Sequence, residues 1–250
     1  MTLDLAKFAE ENGVKYFMIS FTDLFGGQRA KLVPARAIAD MQEDGAGFAG
    51  FATWLDLTPA HPDMLAVPDP EAVIILPWNK EIAWVFSDLW WEDKPYNLCP
   101  RQQMKRAIRD AADQGYAMYA GIEPEFIAMR WNDEGQPVKA FDNDPEPGHG
   151  LRPRRQAFGY DVEYSLDSME FLGDMIDILE DLGWNVHDVV AEGGYSQFEL
   201  DFHYTDVLEM ADRLVFLRIL LKEVAKQHGI FITYMPKPTT GDWRSGAHMN

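Results

Sequence analysis

Two glutamates stand two residues apart in Gly121-Ile122-Glu123-Pro124-Glu125-Phe126, a segment that reads as the end of a β-strand. Side chains at i and i+2 leave a strand on the same face, so Glu123 and Glu125 are expected to point into one space. Carboxylates held together repel, and burying them is costly unless a cation or a proton lies between them. A second acidic set follows: Glu192, then Gln197, Glu199 and Asp201 alternating along another expected strand. The last six residues, Ser245-Gly246-Ala247-His248-Met249-Asn250, form a glycine-bearing run that delivers a histidine. Carboxylate oxygens with one imidazole make a donor set suited to Mg2+ or Mn2+.

The bland alternative for Glu123 and Glu125 is the exposed edge of a half-buried strand. Their neighbours Ala120, Ile122, Phe126, Ile127, Ala128 and Met129 make the setting apolar and favour metal binding. Gly193 and Gly194 allow the tight return between Glu192 and the next strand. There Phe198, Leu200 and Phe202 are expected to face the core, leaving Gln197, Glu199 and Asp201 on the opposite face. His61, His149, His187, His203 and His228 read as ordinary structural histidines, whereas His248 stands out because Gly246 permits a tight backbone path beside it. Gly45-Ala46-Gly47-Phe48-Ala49-Gly50 matches the dinucleotide pattern GxGxxG, but that pattern needs a hydrophobic strand before it and a helix opening on it. Ala39 to Asp44 precede it and Phe51-Ala52-Thr53-Trp54 follow, so an NAD(P)-dependent oxidoreductase is a distant reading. The sequence has no Walker A, HExxH or GxSxG motif.

These groups must be positioned by an α+β chain. A helix is expected at 4–12, ended by Gly13, and a hairpin at 15–33 with its turn at Asp23 to Gly27. A further helix is expected at 34–42, a glycine loop at 43–50 and an irregular proline-bearing connection at 57–69. Strands follow at 72–76 and 82–86. Pro100 suits the first turn of a helix over 101–114. Strands near 116–131, a Pro/Gly-rich excursion at 136–153, a helix near 167–182, strands near 185–190 and 195–202, a helix near 205–227 and a strand near 230–235 complete the order. Strands interleaved with helices mark an α/β or α+β domain. With 250 residues, one large or two smaller domains fit, and 47% apolar residues provide for a core. The net charge of -19 argues against nucleic acid and anionic membranes as partners. Cys99 is the single cysteine, so no internal disulfide forms. No signal peptide and no membrane-spanning segment is expected, and the location expected is cytoplasmic.

The order and spacing of several motifs resemble the glutamine synthetase superfamily, the glutamate–ammonia and glutamate–amine ligases. They are Phe21-Thr22-Asp23-Leu24-Phe25-Gly26, Asp44-Gly45, Pro68-Asp69-Pro70, Glu123-Pro124-Glu125-Phe126, Glu192 with Gln197-Phe198-Glu199, and Met235-Pro236-Lys237-Pro238 followed by Ser245-Gly246-Ala247-His248. Within it the chain is most similar to the type III or GlnT-like branch, near the γ-glutamylmethylamide synthetases. The resemblance implies an N-terminal β-grasp domain over residues 1–99 and a catalytic domain over 100–250, its sheet an incomplete half-barrel with flanking helices. It implies homo-oligomeric rings, commonly double hexamers, with active sites shared between subunits. It assigns Glu125, Glu192 and Glu199 to one divalent ion and Glu123 and His248 to a second. Lys237, Ser245 and Gly246 fall to ATP binding. Asp44, Glu192 and Tyr160 fall to catalysis, Asp44 and Tyr160 around the incoming ammonium.

The chemistry implied is attack of the glutamate γ-carboxylate on the γ-phosphorus of ATP. The ions screen the repulsion between two anions. Ammonia or a small amine such as methylamine then attacks the γ-glutamyl phosphate, once a carboxylate has taken its proton. The chain departs from the family pattern in two places. Trp243-Arg244 stands where Asn-Gly usually precedes Ser-Gly-x-His, and Val190-Ala191 stands where the family often carries basic or histidine residues before Glu192. Family members also continue well past the point matching Asn250, so these residues alone are expected to leave an open pocket and not to turn over. A relative without ligase chemistry, acting as a metabolite-binding or scaffold protein, is the reading from another class.

Overall fold

A computed structural model describes residues 3–53, 55–141, 159–240 and 242–250. Trp54, His149 and the excursion expected at 136–153, from residue 142 onward, lie outside the described residues. By compactness the chain divides into two units, residues 1–118 with 207–215, and 119–206 with 216–250. The expected boundary at 99/100 coincides with the start of a helix at Pro100.

The first unit holds α1 (Leu5–Asn12), β1 (Tyr16–Thr22), β2 (Gln28–Pro34), α2 (Ile38–Asp44), β3 (Ala46–Phe48), β4 (Met64–Ile75), β5 (Ile82–Trp91), β6 (Lys94–Pro95) and α3 (Pro100–Ala112). Asp4 caps α1 by accepting from the N–H groups of Ala6 and Lys7, and Gly13 ends it in a left-handed conformation. The sheet runs β2-β1-β5-β4-β3, with β6 on β5. Only β1 and β5 are parallel among these pairs. Phe17, Ile19 and Phe21 of β1 are buried with Ala83, Val85 and Leu89 of β5, and Leu5 and Ile38 join them from the helices.

Two expectations change here. The glycine run is a short strand, β3, paired antiparallel to β4 and followed by a 3-10 turn at Gly50–Ala52. It is not the strand-to-helix turn a dinucleotide site requires. The proline-bearing connection becomes strand from Met64 onward. Pro68 still pairs with Ser87 of β5, whereas Pro70 falls where that pairing lapses between Pro68 and Val73, so its missing N–H costs no ladder bond there.

The second unit holds β7 (Tyr119–Ala120), β8 (Ile122–Trp131), β9 (Pro137–Lys139), α4 (Val162–Asp167), α5 (Met169–Asp181), β10 (Val186–Ala191), β11 (Gln197–Phe202), β12 (Thr205–Asp206), β13 (Phe231–Thr233) and β14 (Ala247–Met249). Helix α6 (Val207–Gln227) contributes its first nine residues to the first unit. The sheet order is β10-β11-β8-β13, with β9 and β14 also on β8. The expected helix at 167–182 is α5, and the short α4 precedes it, the two meeting at Ser168. Strand β14 carried no strand signal of its own. One face of the sheet is sealed by aromatic rings: Phe126 lies 5.8 Å from Phe198 and 6.3 Å from Phe171, and Phe141 lies 6.0 Å from Phe198. Among the described residues no helix is long and apolar enough to cross a membrane.

A buried ion network ties the first unit together. Arg101 of α3 lies 2.8 Å from Asp69, 3.0 Å from Asp88 and 2.9 Å from Asp212, and Lys105 also meets Asp69 and Asp88. A buried ion pair adds little net stability, but removing one partner strands the other charge. Arg101→Met is therefore expected to cost about 3–5 kcal/mol, read as a lower urea midpoint. An unchanged midpoint would show that water already screens these carboxylates.

Candidate metal centre

The centre is built on β8. Glu123 and Glu125 lie on the same face, as their spacing requires. Strand β14 pairs antiparallel along the first half of β8 and sets His248 directly opposite Glu123. Strand β11 pairs with the second half and sets Glu199 directly opposite Glu125. That ladder stops at the Glu199–Glu125 pair, one residue before Pro124, which has no N–H to offer. Pro124 itself pairs with Ala247 of β14, and Glu125 donates its N–H to the Gly246 carbonyl at 3.2 Å, so β14 and β11 bond to opposite edges of β8.

Two groups of ligand atoms result, each with all atoms within 4.8 Å of one another: Glu125, Glu192 and Glu199, and Glu123, Glu199 and His248. Glu192 is held by the glycine turn: its N–H donates to the Gln197 carbonyl at 2.9 Å, and Gly193 N–H donates to its carboxylate at 3.0 Å. Glu123 accepts from the side-chain amide of Asn250 and faces His248 Nδ1 at 3.3 Å. Gly246 is needed where it stands. A Cβ there would lie 2.7 Å from a Glu125 oxygen and 3.1 Å from His248 Nε2. All five residues expected to ligate a metal are thus brought together, and Glu199 belongs to both groups rather than to one.

Electrostatics mark the same place. Burial, and then the charges of Asp201, Glu192, Glu125 and Glu123, push Glu199 up to about 7. Asp201, one alternation further along β11, is pushed up to about 7 by burial and then by a hydrogen bond with Asp188. A cluster that holds protons near neutrality without a cation has the donor set and the spacing for a divalent ion. Asp188 was not legible as a member, since only the pairing of β10 with β11 places it against Asp201.

The other expected residues have separate settings. Asp44 closes α2 in the first unit and is exposed. Tyr160 has a left-handed backbone (φ 65°), donates its N–H to the carbonyl of Ala191, and is 82% exposed. Lys237 is exposed. Ser245 is tied by its N–H to the Pro236 carbonyl at 2.9 Å, so the two proline- and glycine-bearing segments meet. Trp243 packs its ring on Gly193, where a Cβ would lie 2.4 Å from ring carbons, and remains half-exposed.

An acidic β-sheet centre with this donor set has groups that could hold a divalent metal ion. The family profile described as glutamine synthetase, catalytic domain, matches residues 97–250. The chain belongs to that family. A glutamine synthetase of Rhizobium leguminosarum bv. phaseoli is 47% identical over 99% of this chain and 54% of its own length. A glutamate–methylamine ligase of Methyloversatilis universalis is 31% identical over 98% of this chain and 53% of its own. A solved GmaS/ADP complex superposes with a TM-score of 0.90 at 40% identity, covering 100% of this chain and 55% of that one. The chain spans about half the length of the curated relatives it matches.

The raised carboxyl groups set a pH dependence. Glu199 ordinarily titrates near 4.5 and in the fold near 7, so the folded state binds more protons across that window. Stability of the metal-free protein is expected to fall as pH rises from about 4.5 to 7, and to level off above it. Thermal midpoints in a chelator should follow that course, and Glu199→Gln should flatten it. A midpoint that rises through this window would contradict the crowding. Gly246→Ala should displace the Glu125 carboxylate and shrink the gain in midpoint that Mg2+ or Mn2+ produces.

Proposed function

We propose that the protein ligates ammonia, or a small amine such as methylamine, to the γ-carboxylate of glutamate at the expense of ATP, through a γ-glutamyl phosphate. The observation that carries this is the convergence of Glu123, Glu125, Glu192, Glu199 and His248 on β8, β11, β14 and the turn between them. Glu125, Glu192 and Glu199 would hold one Mg2+ or Mn2+, and Glu123, Glu199 and His248 a second. When bound, the ions supply charge that lets the carboxylate approach the triphosphate. Asp44, reaching into the adjacent subunit, and Tyr160 would surround the incoming amine, with a carboxylate taking its proton, and Glu192 would be catalytic as well as a ligand. Lys237, Ser245 and Gly246 would border the nucleotide.

The reading extends to organisation. Residues 1–99 would be a β-grasp domain and 100–250 catalytic, in a cytoplasmic homo-oligomeric ring whose sites are shared between subunits. The five-stranded path of the first sheet with its parallel β1–β5 pair supports the former. The names of the relatives support both amine choices.

The test is phosphate release from ATP by a purified protein that carries these residues and matches its curated relatives in length, with glutamate and either ammonium or methylamine. Release should require glutamate and a divalent ion, and the preferred amine should raise it. Glu192→Gln should lower kcat by roughly 10²–10⁴-fold, the usual contribution of a positioned acid or base. Release that needs no glutamate, or that survives Glu192→Gln unchanged, overturns the proposal.

A further inference from the structure

Gln197 stands at the start of β11, is 1% exposed, and touches each chain segment that supplies a metal-site carboxylate or histidine. Its carbonyl accepts from the N–H of Glu192, and its own N–H donates to the carbonyl of Gly194 at 3.2 Å. Its side-chain nitrogen donates to Glu125 at 2.5 Å and to the backbone carbonyl of Arg244 at 3.0 Å. Both of those partners are acceptors only, so the amide nitrogen, not its oxygen, must face them. The carbonyl of Arg244 opens the run Ser245 to His248. Two residues before Arg244 the chain is also anchored by Asp242, whose carboxylate lies 2.8 Å from the buried Lys139 of β9. Gly194 leaves the room: a Cβ there would meet the Gln197 side-chain oxygen at 2.3 Å.

We infer that Gln197 is a positioning residue of the metal centre: its side-chain amide aims the Glu125 carboxylate and clamps the segment that carries His248. The inference rests on the metal-site reading above. The amide nitrogen has no lone pair to give and is committed to two acceptors, while the amide oxygen lies against Gly194, so Gln197 acts on Glu125 as a donor. Its action is to remove the freedom of Glu125, which faces Glu199 directly and would otherwise swing away from that charge.

The test is Mn2+ binding by the purified chain, read from the electron paramagnetic resonance of free Mn2+. Gln197→Met keeps length and apolar fit while removing the donor, and should weaken binding by about 10–100-fold. Acting through Glu125 has a distinct signature: in a Glu125→Gln background the same substitution should cost far less. Wild-type affinity in Gln197→Met, or an equal loss in both backgrounds, overturns the inference while leaving the metal site standing. No Mn2+ uptake by the wild-type chain overturns both. A measurement free of any variant runs in parallel: in 15N-labelled wild-type protein the Gln197 side-chain amide resonances should move on adding Mg2+, and an unmoved pair also overturns the inference.

Discussion

The structure depends on carboxylates forced to face one another across a sheet. Glu125 and Glu199 are directly opposed, and Glu123 and Glu192 lie near enough to raise the titration of Glu199. Like charges opposed across strands destabilise a sheet. At 4–5 Å and an effective dielectric of about 20, each fully ionised pair costs roughly 3–4 kcal/mol before water screens it. Burying one phenylalanine returns about 1.5–3 kcal/mol. The opposite face of these strands carries Phe126 and Phe198, packed on Phe171 and Phe141. The repulsion is thus of the same size as what the aromatic underside supplies, and proton uptake or a bound cation removes the remainder.

Backbone chemistry places the charges. Pro124 has no N–H to extend the ladder with β11, and the other edge of β8 pairs with β14. Gly193 and Gly194 admit the ring of Trp243 and the side chain of Gln197 at distances no Cβ would permit. Gly246 does the same for Glu125 and His248. Each of these residues lacks a group, a donor or a Cβ, and that lack lets another side chain into the centre.

Kinship with glutamine synthetases and a glutamate–methylamine ligase gives this arrangement a context. The chain keeps the carboxylates and the histidine but presents Trp243-Arg244 beside them. The tryptophan is seated on Gly193 with much of its ring open, so an indole face borders the turn that holds Glu192. The acidic cluster concerns cations, whereas this edge concerns whatever organic group lies next to them.

Much of this was legible in the letters. Alternation put Phe198, Leu200 and Phe202 on one face of a strand and Glu199 and Asp201 on the other, because a period of two is fixed by the pleat. The spacing of Glu123 and Glu125, the capped helix at Asp4 to Gly13 and the hairpin around Asp23 followed from local chemistry alone. What local chemistry could not supply was register. That His248 meets Glu123, that Glu199 serves both groups, and that Gln197 joins Glu125 to Arg244 are facts about residues 47 to 125 positions apart. The sequence determined which side chains can carry charge and on which face of each strand they emerge. Only the tertiary structure decided which of them oppose each other, because strand pairing is settled by the packing of distant segments rather than by any segment's own preference.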